Sequence, residues 1–225
     1  MKPAEFALLF DLDGTLANSD PLHYQAFSTL LAENGKTLTP EQYHRDIVGG
    51  SNAGIMRALF PERDQATHRA MAERKEALFR ASVTTLEPTP GTRELFAWAE
   101  RRGFPIAVVT NAPRANAELM LERLDLTSQV AALVIGEELA AAKPDPLPYL
   151  TGLARIGARA DRACAFEDSP SGIRAARAAG LPTFALRSAL PAESLLAAGA
   201  DAVIDDFAAP ELWRWLEAAR AGMPA

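Results

Sequence analysis

Cysteine occurs once in the 225 residues, as Cys164, so an internal disulfide framework is excluded and the apolar setting Ala163-Cys-Ala-Phe166 fits a small buried thiol. Lysine is scarce as well, with four in the chain, and no run of Lys or Arg offers a stripe to a phosphate backbone. With 23 basic against 29 acidic residues and a net charge of −6, nucleic acid is not an expected partner. Histidine numbers 3 and forms no cluster with cysteine, which argues against zinc. Long hydrophobic runs are missing: Met1 to Phe10 contains Glu5 and an apolar stretch too short for a membrane span, without a secretory pattern. These absences predict a cytoplasmic protein without a membrane partner. What is present is an ordinary globular composition, 48% hydrophobic and 23% charged, in a chain longer than one usual compact domain. One large unit, or a core with a smaller inserted module, is expected.

Short apolar runs recur along the chain. Phe6-Ala-Leu-Leu-Phe10 opens the series; Pro105–Thr110, Ala131–Ile135, Arg162–Phe166, Pro182–Leu186 and Ala202–Ile204 follow, separated by helical stretches. Continuous apolar strands alternating with helices predict an α/β fold, a doubly wound parallel sheet with helices on both faces. The interval from about Asn18 to Pro88 breaks the rhythm, with helix-like patterns at Asp20–Asn34, Ser51–Leu59 and Asp64–Val83 and no buried strand. It reads as an α-helical insertion, in which Asp20-Pro21 and Thr39-Pro40 each place a capping side chain before a proline suited to a first turn. The domain expectation is a core of residues 1–17 and 90–225 with a helical cap at 18–89. Trp213 and Trp215, in a last helix around Glu211 to Arg220, read as packing residues.

Chemistry gathers where strands end. Asp11 and Asp13 of Asp11-Leu-Asp-Gly-Thr15 follow the first strand; Thr110-Asn111, Lys143, and Glu167-Asp168 follow or flank others. Open α/β sheets bind ligands at the carboxyl ends of their strands, so neighbouring parallel strands would bring these groups to one edge. Several hard oxygen ligands suit Mg²⁺. A carboxylate nucleophile, a magnesium ion and a fixed ammonium are the parts of a phosphoryl transfer through an aspartyl-phosphate.

The stretches Asp11-Leu-Asp-Gly-Thr-Leu16, Val109-Thr-Asn111, Lys143-Pro-Asp-Pro146 and Phe166-Glu-Asp-Ser-Pro-Ser-Gly-Ile173 resemble, in order, the four motifs of the haloacid dehalogenase superfamily. The subfamily most resembled contains β-phosphoglucomutase, phosphoglycolate phosphatase and small sugar-phosphate phosphatases, and implies a Rossmann-like core with a four-helix cap. By position, the resemblance implies Asp11 as nucleophile and metal ligand, and Asp13 as general acid and base whose backbone carbonyl also meets the metal. It implies Thr110 and Asn111 on the phosphate oxygens, Lys143 offsetting shared negative charge, and Glu167 and Asp168 anchoring Mg²⁺, with the direct ligand of the two left open. An acid at position 13 favours phosphate esters over dehalogenation, because halide leaves without a proton. Phosphonatases of the superfamily use a cap lysine; Lys36 and Lys75 lie in the insert, neither in a setting that matches that site.

Substrate choice is expected in the insert. His23 falls where β-phosphoglucomutase-like proteins carry a histidine contacting acid/base or substrate; a packed or solvent-facing histidine is the competing reading. Val48-Gly49-Gly50-Ser51-Asn52 matches the cap specificity loop in position, and plain turn chemistry explains its glycines nearly as well. The basic residues with which mutases hold a second phosphate are replaced there by Val48 and Asn52, which tilts the expectation toward hydrolysis of a small phosphorylated metabolite, while Arg45, Arg57 or Arg74 could supply charge from elsewhere. The resulting expectation is a Mg²⁺-dependent phosphatase, a monomer or weak homodimer, with a phosphosugar mutase as the enzymatic alternative. A non-catalytic binding module is the reading from another class, disfavoured because a scaffold has no physical need for a costly cluster of like charges.

Overall fold

Ala7-Leu-Leu-Phe10 has no polar side chain and all four residues are buried, which marks a strand covered on both faces. In the computed structural model, which describes residues 4–48 and 50–221, this strand β1 (Ala7–Phe10) lies inside a parallel sheet. Its neighbours are β2 (Ile106–Thr110) on one side and β4 (Ala163–Glu167) on the other. Outside β2 lies β3 (Ala132–Ile135), and beyond β4 lie β5 (Thr183–Leu186) and β6 (Ala202–Ile204), so the six strands run β3-β2-β1-β4-β5-β6. That order reverses direction between β1 and β4, the switch point beside which open α/β sheets leave a crevice.

Alternation along β1 divides the core. Ala7 and Leu9 face a layer shared with Ala107, Val109 and Ala165 and with Tyr149, Leu153, Ala175 and Ala176 of the helices that cover that face. Phe10 faces the other way, stacked on Phe166 with centroids 4.7 Å apart and against Phe96 at 5.1 Å and Phe207 at 5.6 Å. Each such ring pair contributes about 0.5–1.5 kcal/mol beyond its area. Trp215 extends this aromatic layer, 5.0 Å from Phe184, and Trp213 meets Trp98, so both tryptophans pack. Cys164 is fully buried in β4, and burial pushes its thiol well above the usual range.

The chain divides into two compact units, one up to Asn18 and from Glu87 onward, the other from Ser19 to Leu86. Within the sheet unit, the departing and returning strands are tied: Ala17 bridges Pro88, Thr89 N donates to Leu16 O at 2.8 Å and the Thr89 hydroxyl to Thr15 O at 2.7 Å. The second unit holds four helices, α1 (Asp20–Glu33), α2 (Pro40–Asp46), α3 (Asn52–Leu59) and α4 (Gln65–Ser82). Its core joins Phe27, Leu30, Leu31, Tyr43, Met56 and Phe60. Thr39 and Gln42 form a complete capping box on α2. The cap expected from Asp20 is not made: Ser19 occupies the position before α1, Asp20 lies inside the first turn, and Tyr43 donates to the Asp20 carboxylate at 3.3 Å.

The remaining helices belong to the sheet unit: α5 (Thr92–Glu100), α6 (Arg114–Arg123), α7 (Leu147–Ile156), α8 (Pro170–Ala178), α9 (Ala192–Ala197) and α10 (Pro210–Ala221). No described helix is long and apolar enough to cross a membrane.

Candidate active site

Because β2, β1 and β4 are adjacent, their carboxyl ends deliver Thr110, Asp11 and Glu167 to one edge of the sheet. Register is set locally: Asp11 N donates to Phe166 O at 2.9 Å, which holds the first acid beside the end of β4. Lys143, from the loop before α7, completes the group. Its ammonium sits 2.6 Å from Asp11 Oδ1 and 2.5 Å from Glu167 Oε1 and is almost wholly buried.

The charges are unequal, two buried carboxylates against one ammonium, and the site shows it. Burial, reinforced by Glu167 and opposed by Lys143, pushes Asp11 up to about 8. Burial works against the Lys143 charge, yet Asp11 and Glu167 together raise its pKa well above the usual lysine range, so it stays protonated. Glu167, 0% exposed, is filled on both oxygens: Tyr149 donates to Oε1 at 2.7 Å, and the Ser169 hydroxyl to Oε2 at 3.1 Å. Burial and the adjoining carboxylates raise the Tyr149 phenol well above its usual value, which keeps it a donor. Asp168 takes a hydrogen bond from the Ser188 hydroxyl at 2.8 Å.

Carboxylate oxygens of Asp11, Glu167 and Asp168 all lie within 4.8 Å of one another. Three hard oxygen donors at that spacing, in a site with an excess of negative charge, can hold a divalent cation such as Mg²⁺. The Asp13 carboxylate stands outside this trio, on the turn after β1, where Gly14 N donates to Ala17 O at 2.9 Å. Gly14 has φ of +75°, and a Cβ there would overlap the Asp168 carboxylate, so both conformation and close approach demand glycine. Thr110 is buried and its hydroxyl accepts from Ala112 N at 2.9 Å. Asn111 spends its carboxamide on the Lys143 backbone, donating to the carbonyl and accepting from the amide, each at 3.2 Å.

The helical unit gathers a second polar cluster. His23 is packed, its ring stacked on Phe79 with centroids 4.1 Å apart, and Lys75 Nζ lies 2.9 Å from its Nδ1, within hydrogen-bond distance. Lys75 also reaches Glu76 Oε1 at 2.9 Å, and Asn52 donates to the same oxygen at 2.6 Å. Burial would raise Glu76, but Lys75 and Asn52 hold it below the usual carboxylate range. Of the loop residues, Asn52 joins this cluster; Ser51 caps α3, its hydroxyl accepting from Gly54 N at 3.2 Å; Gly50 closes a turn on Ile47 O. Gly49 lies outside the described residues. Arg45 and Arg74 are exposed and paired with Asp46 and Glu33. The sequence reading passed over Glu76, Tyr149 and Ser188, and weighed Lys75 only as a cap lysine in a setting that did not match. No spacing rule marks a lone polar residue in an apolar helix face, as Tyr149 is within Leu147-Pro-Tyr-Leu150, as a partner of another element's carboxylate.

Residues 8–186 match the family described as "Haloacid dehalogenase-like hydrolase". A "Phosphorylated carbohydrates phosphatase" of Thermotoga maritima is 31% identical over 205 residues, 88% of this chain and 93% of that protein. A "Phosphoglycolate phosphatase" of Rhodospirillum rubrum is 32% identical over 216 residues, 92% of this chain and 90% of its own length. Among solved structures, CbbY from Rhodobacter sphaeroides in complex with phosphate superposes with a TM-score of 0.80 at 29% identity, covering 91% of this chain and 95% of that one.

Proposed function

Since this chain belongs to the haloacid dehalogenase-like hydrolase family, we propose that it hydrolyses a small phosphate monoester, a sugar phosphate or a phosphoglycolate-like acid, through an aspartyl-phosphate on Asp11. The observation that carries the reading is the Lys143 ammonium held between Asp11 and Glu167 beside Asp168. Phosphatases among the relatives and the phosphate bound to CbbY support the substrate class.

In this reading an Asp11 carboxylate oxygen attacks phosphorus, the ester oxygen leaves, and Asp13 gives that oxygen a proton. Asp13 then takes a proton from water, the water oxygen attacks phosphorus, and Asp11 departs with inorganic phosphate as product. Lys143 offsets negative charge shared by Asp11 and the phosphoryl group, and Thr110 donates its hydroxyl hydrogen to a phosphoryl oxygen. Asn111, engaged with the Lys143 backbone, keeps that loop in place and has one amide hydrogen left for phosphate. Asp11 and Asp168, with the Asp13 backbone carbonyl, would hold Mg²⁺, with Glu167 behind them; bound there, the ion supplies the positive charge this acid-rich site lacks. The sheet unit would be the catalytic core and residues 19–86 the cap, where His23, Asn52 and the Gly50-Ser51 turn tune substrate choice. We take the protein to act in the cytoplasm as a monomer or weak homodimer.

The phosphosugar mutase alternative would need a cap cation for the second phosphate of a bisphosphate, and Lys75 is buried and engaged with Glu76 and His23, which favours the first reading. A panel of phosphoglycolate, hexose and pentose phosphates and nucleotides, with and without Mg²⁺, tests the first reading. Phosphate release from at least one monoester is expected; inactivity on all of them and on a generic aryl phosphate sinks it.

A further inference from the structure

Tyr149 has no part in the scheme above, yet among the described residues it is the largest fully buried side chain, and its hydroxyl ends on Glu167. Resting on the phosphatase reading, we propose that Tyr149 is a positioning residue for phosphoryl transfer: its phenol shares Glu167 Oε1 with Lys143 and so leaves the ammonium's charge available to Asp11.

The competition is built into the geometry. One ammonium serves two carboxylates, at 2.6 Å from Asp11 and 2.5 Å from Glu167. Among the described residues, the donors on Glu167 Oε1 are that ammonium and the Tyr149 hydroxyl, 2.7 Å away. Oε2 is served separately, by the Ser169 hydroxyl at 3.1 Å and by the Asp168 and Ser169 amides at 3.3 and 3.4 Å. Without the phenol, Oε1 would keep the ammonium alone, in a buried site where an under-satisfied carboxylate draws its partner strongly. Lys143 would then shift its hydrogen bonding toward Glu167 and away from Asp11, where negative charge changes hands during the reaction.

Packing does not require the hydroxyl, because a phenylalanine ring would fill the same volume. The helix that carries it is instead seated for contact. At Gly152, three residues further along α7, a Cβ would meet Leu9 Cδ2 and Val109 Cγ2, both at 3.1 Å, so the missing side chain lets α7 lie close on β1 and β2. The first of those strands leads directly into Asp11 and the second ends in Thr110.

The test is Tyr149→Phe, alone and combined with Glu167→Gln, in full-length enzyme with Mg²⁺ and a generic aryl phosphate. The single variant should lose about tenfold in kcat with KM within about twofold of wild type, and should lose nothing further in the Gln background. A second arm needs neither turnover nor the Gln variant. With tyrosines labelled at Cζ, the chain gives three carbon signals, Tyr149 being assigned by its loss in the Phe variant. Asp11→Asn, which the phenol does not touch, should move the Tyr149 signal through Lys143. A kcat within twofold of wild type, equal losses in both backgrounds, or a Tyr149 signal indifferent to Asp11→Asn would each overturn the proposal. If wild-type enzyme releases no phosphate, the phosphatase reading fails on its own and the carbon signal alone decides this one.

Discussion

In the proposed reaction a single side chain at position 11 carries two burdens, nucleophile and charge. Asp11→Asn is nearly isosteric and removes both, so turnover in a clean preparation should fall below a few per cent while circular dichroism and the urea midpoint stay native or rise slightly, since one member of a repelling acid pair is gone. Retained activity would rule out the aspartyl-phosphate route. Glu76 offers the opposite case, a buried carboxylate whose folded pKa lies below its unfolded value. Its contribution is therefore fully present above the unfolded value, near 4.5, and fades as pH falls through the lower folded one. Glu76→Gln leaves Lys75 buried without its anion and should cost about 3 kcal/mol at pH 7. In urea titrations the gap between wild type and variant should shrink as pH drops below the unfolded value; a gap independent of pH would show that the charge plays no part. At this scale the acids were legible because Asp11 ends an apolar run, where a carboxylate has no packing role. Tyr149 was not, because a buried tyrosine ring looks the same to the sequence whether or not its hydroxyl is used.

Elements show how narrowly the local devices are tuned. Helix α8 begins with Ser169 as cap, accepting from Gly172 N at 3.1 Å, and the same serine hydroxyl donates to Glu167. A Cβ on Gly172 would overlap the Glu167 carboxylate itself. Gly172→Ala should thus displace Glu167, lower kcat by about tenfold or more and cost about 2 kcal/mol in urea unfolding, a pairing of losses that an ordinary helix-surface alanine would not give. In the helical unit the Thr39–Gln42 box is a purely local device. Thr39→Ala should lower stability by about 1 kcal/mol without altering kcat for aryl phosphate, as read by thermal melting beside the activity assay. The cap was visible as Thr39 before Pro40, the part of Gln42 in it was not read, and the parallel inference at Asp20 was wrong by one residue. Pro21 can stand at either of the first helical positions, and Asp20 is drawn into the helix where the Tyr43 hydroxyl meets it.

For the whole molecule, chelation is the plainest probe. EDTA should abolish phosphate release and added Mg²⁺ restore it, and the wild type should hydrolyse a monophosphate without bisphosphate priming; efficient bisphosphate-dependent isomerisation of β-glucose 1-phosphate would transfer the case to the mutase reading. The sequence by itself determined the parallel sheet, because strands buried on both faces must be apolar along their length, as Ala7–Phe10 and residues 106–109 are. It also determined which stretches carry acids at strand ends, since a charge there needs a reason other than packing. Only the tertiary structure decided which of those groups touch. Strand order β3-β2-β1-β4 puts residue 11 beside residue 167 and lets one ammonium from a distant loop serve both, and the fold of α1 and α4 sets His23 against Lys75. Hydrophobic periodicity is a property of neighbours along the chain, whereas a hydrogen bond depends on a few tenths of an ångström between residues far apart in it, and nothing local in the sequence records that distance.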